Sequence, residues 1–310
     1  MNSAQHRDEP SAPFSRRMIP AIMPGLLLLF IAGVSAMCMW AGCLLVEIVP
    51  AGPPALVYGL LLFYLYMVNR YTDRNEDRAN CPDRSALFEA TRLPLWMAVF
   101  SVLGVVTILL VHHTLNAYYL MNIALGTAYS VRLIPGIRSS KFALWRIKDF
   151  GWFKPFFLAM MWGQAFFLFP LSYGFPASSK FTLWVVLSFS FTALNFSNVL
   201  FCDILDKEGD RAAGIKTLPV TVGVRLSLQI ITLVCLLCAV LILWFQMALN
   251  AAGFPVLLFL YTMALYPCVY VLVYVWTRSQ TGGLTRIIAE SDILVFALGL
   301  LILVHLPGAR

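Results

Sequence analysis

The sequence predicts an all-α, polytopic integral membrane protein, and three observations carry that prediction. Hydrophobic residues fill 60% of the 310 positions and charged ones only 12%, whereas ordinary soluble domains hold about a quarter charged residues. Apolar runs long enough to cross a bilayer recur along the chain. Almost all the basic residues fall in alternate loops between those runs, as retention of Lys and Arg on the cytoplasmic side requires.

The runs lie at about residues 19–46, 53–68, 95–111, 115–131, 156–173, 181–201, 226–249, 254–276 and 287–304, giving nine expected transmembrane helices around a central cavity. With the N-terminus inside, only Lys180 and Arg310 of the 22 basic residues fall on the outer side. Residues 1–18 are polar and carry Pro and Ser, the composition of a disordered cytoplasmic N-terminus. Residues 19–310 then form one transmembrane domain. The first run is too long for a signal-peptide core and reads as an uncleaved span.

Net charge is +7, but it belongs to one face of a membrane protein, turned toward anionic lipid or an anionic substrate. The loops are too short to hold a soluble module, which excludes nucleic-acid binding as the main role. Seven cysteines are scattered through apolar runs without metal-ligand spacing. They read as small packing residues, Cys235 and Cys238 included, because that CxxC pair lies mid-helix in lipid.

The informative charges are acidic. Asp203, Asp206 and Asp210 close the sixth run, and their spacings of three and four place them on one helical face. Asn69, Asp73 and Asp77 close the second run at steps of four, while Glu76, Arg70, Arg74 and Arg78 point elsewhere. The two segments stand 133 or 134 residues apart at each position, as two four-helix units followed by one extra helix would give. Charges at a membrane boundary are costly unless paired or metal-bound. Mg²⁺ takes oxygen ligands and is commonly shared between carboxylates and substrate phosphates, so two facing stripes suit a metal and a diphosphate. Ordinary helix ends carrying charge pairs are the alternative, and the matching positions of the two stripes count against it.

Arg84, Arg132, Arg146, Lys148, Lys154 and Lys207 lie on the same predicted face and are candidates to neutralise phosphate. Arg84 and Lys154 each neighbour a Pro that fixes the local backbone.

Asn69…Asp73…Asp77 followed by Asn80-x-Pro-x-Arg84 resembles the first signature of the UbiA-type intramembrane prenyltransferases. Asp203-x-x-Asp206-x-Glu-Gly-Asp210, continuing to Thr217-Leu-Pro219, resembles the second, and Tyr129-Ser130 before a basic loop is similar to that family's intervening segment. The resemblance implies that Asn69, Asp73, Asp77, Asp203, Asp206 and Asp210 bind Mg²⁺ and the diphosphate of a polyprenyl donor. Asp73, Asp77, Asp203 and Asp206 would be catalytic, with Asn69, Arg84, Tyr129, Lys148, Lys154, Lys207 and Asp210 contacting substrate. Arg70 departs from the family, which often has Asp there; a helix rotates it about 100° off the metal stripe.

The implied reaction is prenyl transfer to a small aromatic or lipid-like acceptor, with a membrane terpene cyclase as the alternative and a transporter or structural role as a third reading. An allylic cation needs a dry chamber with aromatic faces, for which Trp96, Tyr118, Tyr119, Trp162, Phe166, Phe167 and Phe169 are candidates. Asn122, Gln164, Asn195 and Asn198 suit interhelical hydrogen bonds or acceptor recognition. His112-His113 reads as an outer interfacial anchor, and Asp292 as a charge favoured by a helix N-terminus.

Overall fold

The computed structural model describes residues 30, 32–48, 52–80, 93–111, 117–138, 141–171, 174–212, 214–249, 253–277 and 283–306. The expected disordered stretch 1–18, Cys81, Arg84 and the His112-His113 turn lie outside these residues. So do the side chains of 74–80, Asp77 among them, where only the backbone is described.

Helices dominate. In chain order they are α1 (Ala32–Leu45), α2 (Gly52–Asn80), α3 (Leu93–Val111), α4 (Ala117–Ser130), α5 (Lys154–Leu171), α6 (Phe181–Leu205), α7 (Lys207–Ala212), α8 (Leu218–Val222), α9 (Val224–Leu249), α10 (Phe254–Thr277), α11 (Gly283–Glu290) and α12 (Asp292–His305). By length and composition α3, α6, α9 and α10 each suffice to cross a membrane, and α1 and α12 are shorter apolar helices. The outer faces are themselves apolar: Trp244, Met247 and Trp276 are each at least 80% exposed. Such faces are stable only against hydrocarbon, so the chain is an integral membrane protein.

The interior is apolar as well as the outer faces, and α6 is the hub. It packs against α5, α9, α10 and α11. The rings of Phe166, Phe191 and Phe296 lie 4.8–5.8 Å apart between centroids and tie α5, α6 and α12 together, at separations favoured for aromatic pairs. Close approach of α5 to α6 depends on Gly163, where a Cβ would fall 1.8 Å from Thr192 Oγ1.

One element was not anticipated. The loop between α4 and α5 forms an antiparallel hairpin, β1 (Ile134–Arg138) with β2 (Lys141–Trp145), in register Ile134↔Trp145 through Arg138↔Lys141. Its residues had looked only like a basic topological loop. Along β2 exposure alternates, Phe142 and Leu144 outward and Ala143 and Trp145 half-buried, which is the period-two geometry of a strand.

Candidate active site

Two carboxylate–lysine clusters stand within electrostatic reach of each other, one between α2 and the loop after β2, the other between α5 and α6. α2 continues unbroken through its acidic stretch, so Asn69 and Asp73 share a face. Opposite them, residues Ile147–Asp149 form a single 3₁₀ turn. Asp149 fastens that turn: its Oδ2 accepts the Arg146 amide at 2.9 Å and its Oδ1 the Arg146 Nε at 2.9 Å. Partial burial raises the Asp149 carboxyl, but the hydrogen bonds and charge of Arg146 outweigh it and hold the group below the usual carboxylate range.

The turn aims Lys148 inward. Its ammonium touches the Asp73 carboxylate, donates to Asn69 Oδ1 at 3.1 Å, and lies 5.9 Å from the Tyr129 ring centroid. Arg146 Nη1 reaches Asp73 Oδ1 at 3.4 Å, and Ser130 Oγ donates to Asn69 Oδ1 at 3.3 Å. Burial, with Lys154 and Arg70 nearby, pushes Lys148 down to about 7, while Asp149 and the touching Asp73 favour the charged form. Arg70 is therefore within electrostatic reach of the site, despite its off-stripe position.

In the second cluster Lys154, the first residue of α5, donates to Asp203 Oδ1 at 2.5 Å. Asp203 is 1% exposed and its Oδ2 has no hydrogen-bond partner among the described residues. Here a one-residue turn interrupts the helix that carries the expected stripe, although the Asp206 and Asp210 amides still reach back to the Cys202 and Asp206 carbonyls at 2.9 Å. α6 ends at Leu205, Asp206 occupies the turn before α7, and its Oδ1 instead takes Arg286 Nη2 of α11 at 2.6 Å. Asp210 is buried on α7, which packs against α2. Gly151 closes the assembly: a Cβ there would stand 2.7–2.8 Å from backbone atoms of Lys216 and Thr217.

The carboxylates and the Asn69 amide are hard oxygen donors, and the orphaned Asp203 Oδ2 is a buried acceptor seeking a cation. No three Asp, Glu, His or Cys groups among the described residues form a ready cage. Mg²⁺ does not need one, since it keeps waters and takes one or two carboxylates beside substrate phosphate. The donor set fits that ion.

Asn69, Tyr129 and Ser130 also line a cavity of about 180 Å³ that runs inward between α2, α4, α5, α6 and α12. Its aromatic walls are Tyr58, Tyr66, Tyr129, Phe157 and Trp162. Of the aromatic residues expected from sequence, Trp162 lines it; Phe166 and Phe169 pack in the core, and Trp96 is 57% exposed. Asn122 accepts from Gln164 at 2.6 Å, joining α4 to α5, and Asn198 donates to the Ala289 carbonyl at 2.6 Å, joining α6 to α11. Lys207 faces Glu208 at 3.8 Å instead of the aspartates. Arg286 was missed in the sequence because it resembled another topological cation, and nothing local marked its partner 80 residues away.

Fold and site together define a helical integral membrane protein whose first carboxylate–lysine cluster borders, through Asn69, an aromatic-lined cavity. The chain belongs to the UbiA prenyltransferase family, which it matches over residues 23–285. A UbiA homolog from Archaeoglobus fulgidus bound to GPP and Mg²⁺ has the same fold, with TM-score 0.61 and 15% identity over 92% of this chain and 97% of that one. Another structure, a UbiA homolog from the same organism bound to DMAPP and Mg²⁺, gives 0.55 and 13% over 92% and 99%. A structure described for digeranylgeranylglyceryl phosphate synthase gives 0.60 and 17% over 93% and 99%. No curated protein matches the chain in sequence.

Proposed function

We propose that this protein is a Mg²⁺-dependent prenyltransferase that ionises a polyprenyl diphosphate and transfers the prenyl group to a small aromatic or lipid-like acceptor. The observation that carries the reading is that the Asp73–Lys148 and Asp203–Lys154 clusters stand within electrostatic reach of each other, and that Asn69, which Lys148 contacts, lines the aromatic-walled cavity. The archaeal homologs bound to Mg²⁺ with GPP or DMAPP support it.

Asn69, Asp73, Asp203, Asp206 and Asp210 would hold the metal, with Asp77 continuing the first stripe. Bound there, Mg²⁺ supplies positive charge that stabilises the departing diphosphate. Lys148, Lys154 and Arg146 are preorganised donors for the same oxygens, and such fixed donors are worth more in a water-excluded site. Tyr129, Phe157 and Trp162, which line the cavity, would offer ring faces or edges around the allylic cation, each cation–π contact contributing roughly 0.5–2 kcal/mol. Nine spans, with the N-terminus and both acidic motifs cytoplasmic, complete the reading.

The test is diphosphate release from geranyl, farnesyl and geranylgeranyl diphosphates by the purified protein, with and without Mg²⁺. Metal-dependent release from at least one is expected, and none from any would overturn the proposal. Ring-containing terpenes formed without acceptor would instead identify a cyclase.

A further inference from the structure

Asp292 stands beyond the stretch that matches the family, as the first residue of α12. It is 4% exposed, yet its side chain lines the cavity, where it is the only carboxyl among the lining residues. Its Oδ1 accepts the Ile293 amide at 2.6 Å. That bond is local, to the next residue, and Asn198 also hydrogen-bonds the carboxyl; neither contact needs a charge, since a neutral Asn side chain could accept both. A charge at this depth is costly, and intramembrane carboxyls that are retained face functional interiors.

Its height along the bundle is informative. Asn198 lines the same wall and bonds to Ala289, three residues before Asp292. Asn198 precedes Asp203 by five positions on α6, about 7.5 Å along the helix axis. The Asp292 carboxyl therefore lies roughly one and a half turns inward of the second acidic motif. The donor C1, one oxygen away from its diphosphate, would occupy the space between.

We infer that Asp292 is the acceptor-binding group: it receives the hydrogen bond of a neutral phenolic or alcoholic hydroxyl, and its charge excludes anionic acceptors from the cavity. This rests on the prenyltransferase reading. In the transfer, the C1–O bond to diphosphate breaks first and its electron pair leaves with the diphosphate; the acceptor oxygen then bonds to C1 of the allylic cation. The hydroxyl proton passes to the Asp292 carboxylate and then to solvent as product departs. Asn122 and Asn195, which line the same cavity, supply neutral polar edges that a ring or lipid alcohol tolerates.

The test uses Trp162, which also lines the cavity, as reporter. Quenching of its fluorescence is titrated with 2-naphthol and with 6-hydroxy-2-naphthoate, and signal that survives in Trp162→Phe is subtracted. The wild-type protein is expected to prefer the neutral naphthol by about tenfold or more, since a like-charge contact is strongly penalised. Asp292→Asn should level that preference. A preference unchanged in Asp292→Asn, a wild-type preference for the naphthoate, or quenching by neither ligand would overturn the assignment. The wild-type comparison needs no variant to fold. Mg²⁺-dependent binding of geranyl S-thiolodiphosphate to the wild type, measured separately by calorimetry, reads the donor site alone. Its absence beside intact naphthol discrimination would refute the prenyltransferase reading and with it the transfer role, leaving only a hydroxyl-binding cavity.

Discussion

The two acidic motifs have matching spacings in sequence and different surroundings in space. On the first, an unbroken helix presents Asn69 and Asp73 to one 3₁₀ turn, which supplies both Arg146 and Lys148. On the second, the helix breaks at Asp206, and Asp203 and Asp206 take cations from two separate elements, Lys154 on α5 and Arg286 on α11. One motif is therefore tied to a loop and the other fastens the helical hub. Equal chemistry at the metal is compatible with unequal structural duty.

The largest effect expected from that contrast is on stability. Asp203→Ala leaves Lys154 facing a buried, vacated site, and breaking a buried pair costs about 3–5 kcal/mol. Asp73→Ala should cost clearly less, because its partners sit on a loop that can relax. Both variants should lose diphosphate release. Thermal unfolding in detergent beside the activity assay separates the two quantities; equal destabilisation would erase the distinction between the motifs.

A Cβ at Gly151 would press on the 216–217 backbone, which cannot yield like a flexible side chain. Gly151→Ala should therefore cost about 1–3 kcal/mol and slow turnover by displacing the basic loop from the second motif. An unchanged unfolding temperature would show that this contact is slack.

Arg286→Ala should act differently. Its pair with Asp206 is part-exposed, the side chains being 31% and 24% accessible, so the stability loss should stay below about 1 kcal/mol. The Mg²⁺ requirement should nonetheless rise about 10–100-fold, as when a metal ligand loses its orienting partner. An unchanged magnesium titration would confine Arg286 to packing.

The smallest effect concerns pH. Asp149 is held below its ordinary range in the folded protein, so its contribution is present above the unfolded pKa near 3.9 and is lost as pH falls through the lower folded value. Hydrogen exchange at the Arg146 amide, which Asp149 accepts, should accelerate in Asp149→Asn at neutral pH. In the wild type, loss of Asp149's contribution should accelerate it only in strong acid. Equal protection in both proteins at neutral pH would remove Asp149 as the fastener.

What sequence revealed and what it hid follow from one physical cause. Polar and charged residues in a chain this apolar are conspicuous, so Asn69, Asp73, Asp203 and the basic loop are legible in the sequence. Which face of an apolar helix turns inward is not written in its pattern, because lipid-facing and core-facing residues are alike. Phe166 and Phe169 therefore looked like chamber residues but pack in the core, while Tyr58, Tyr66 and Phe157 line the cavity. Asp292 read as a helix-end charge for the same reason: its spacing could not reveal the space beside it. The break at Asp206 was hidden because i, i+3 and i+7 spacing describes a continuous helix, and the ion pair to Arg286 is set by tertiary contact.

The central claim is that the two motifs act as one site. Isothermal titration of a non-ionisable donor analogue, geranyl S-thiolodiphosphate, into the wild type, Asp73→Asn and Asp203→Asn tests it most directly. Mg²⁺-dependent binding is predicted for the wild type and for neither variant. Metal-dependent binding that persists with either motif disabled would contradict a shared site.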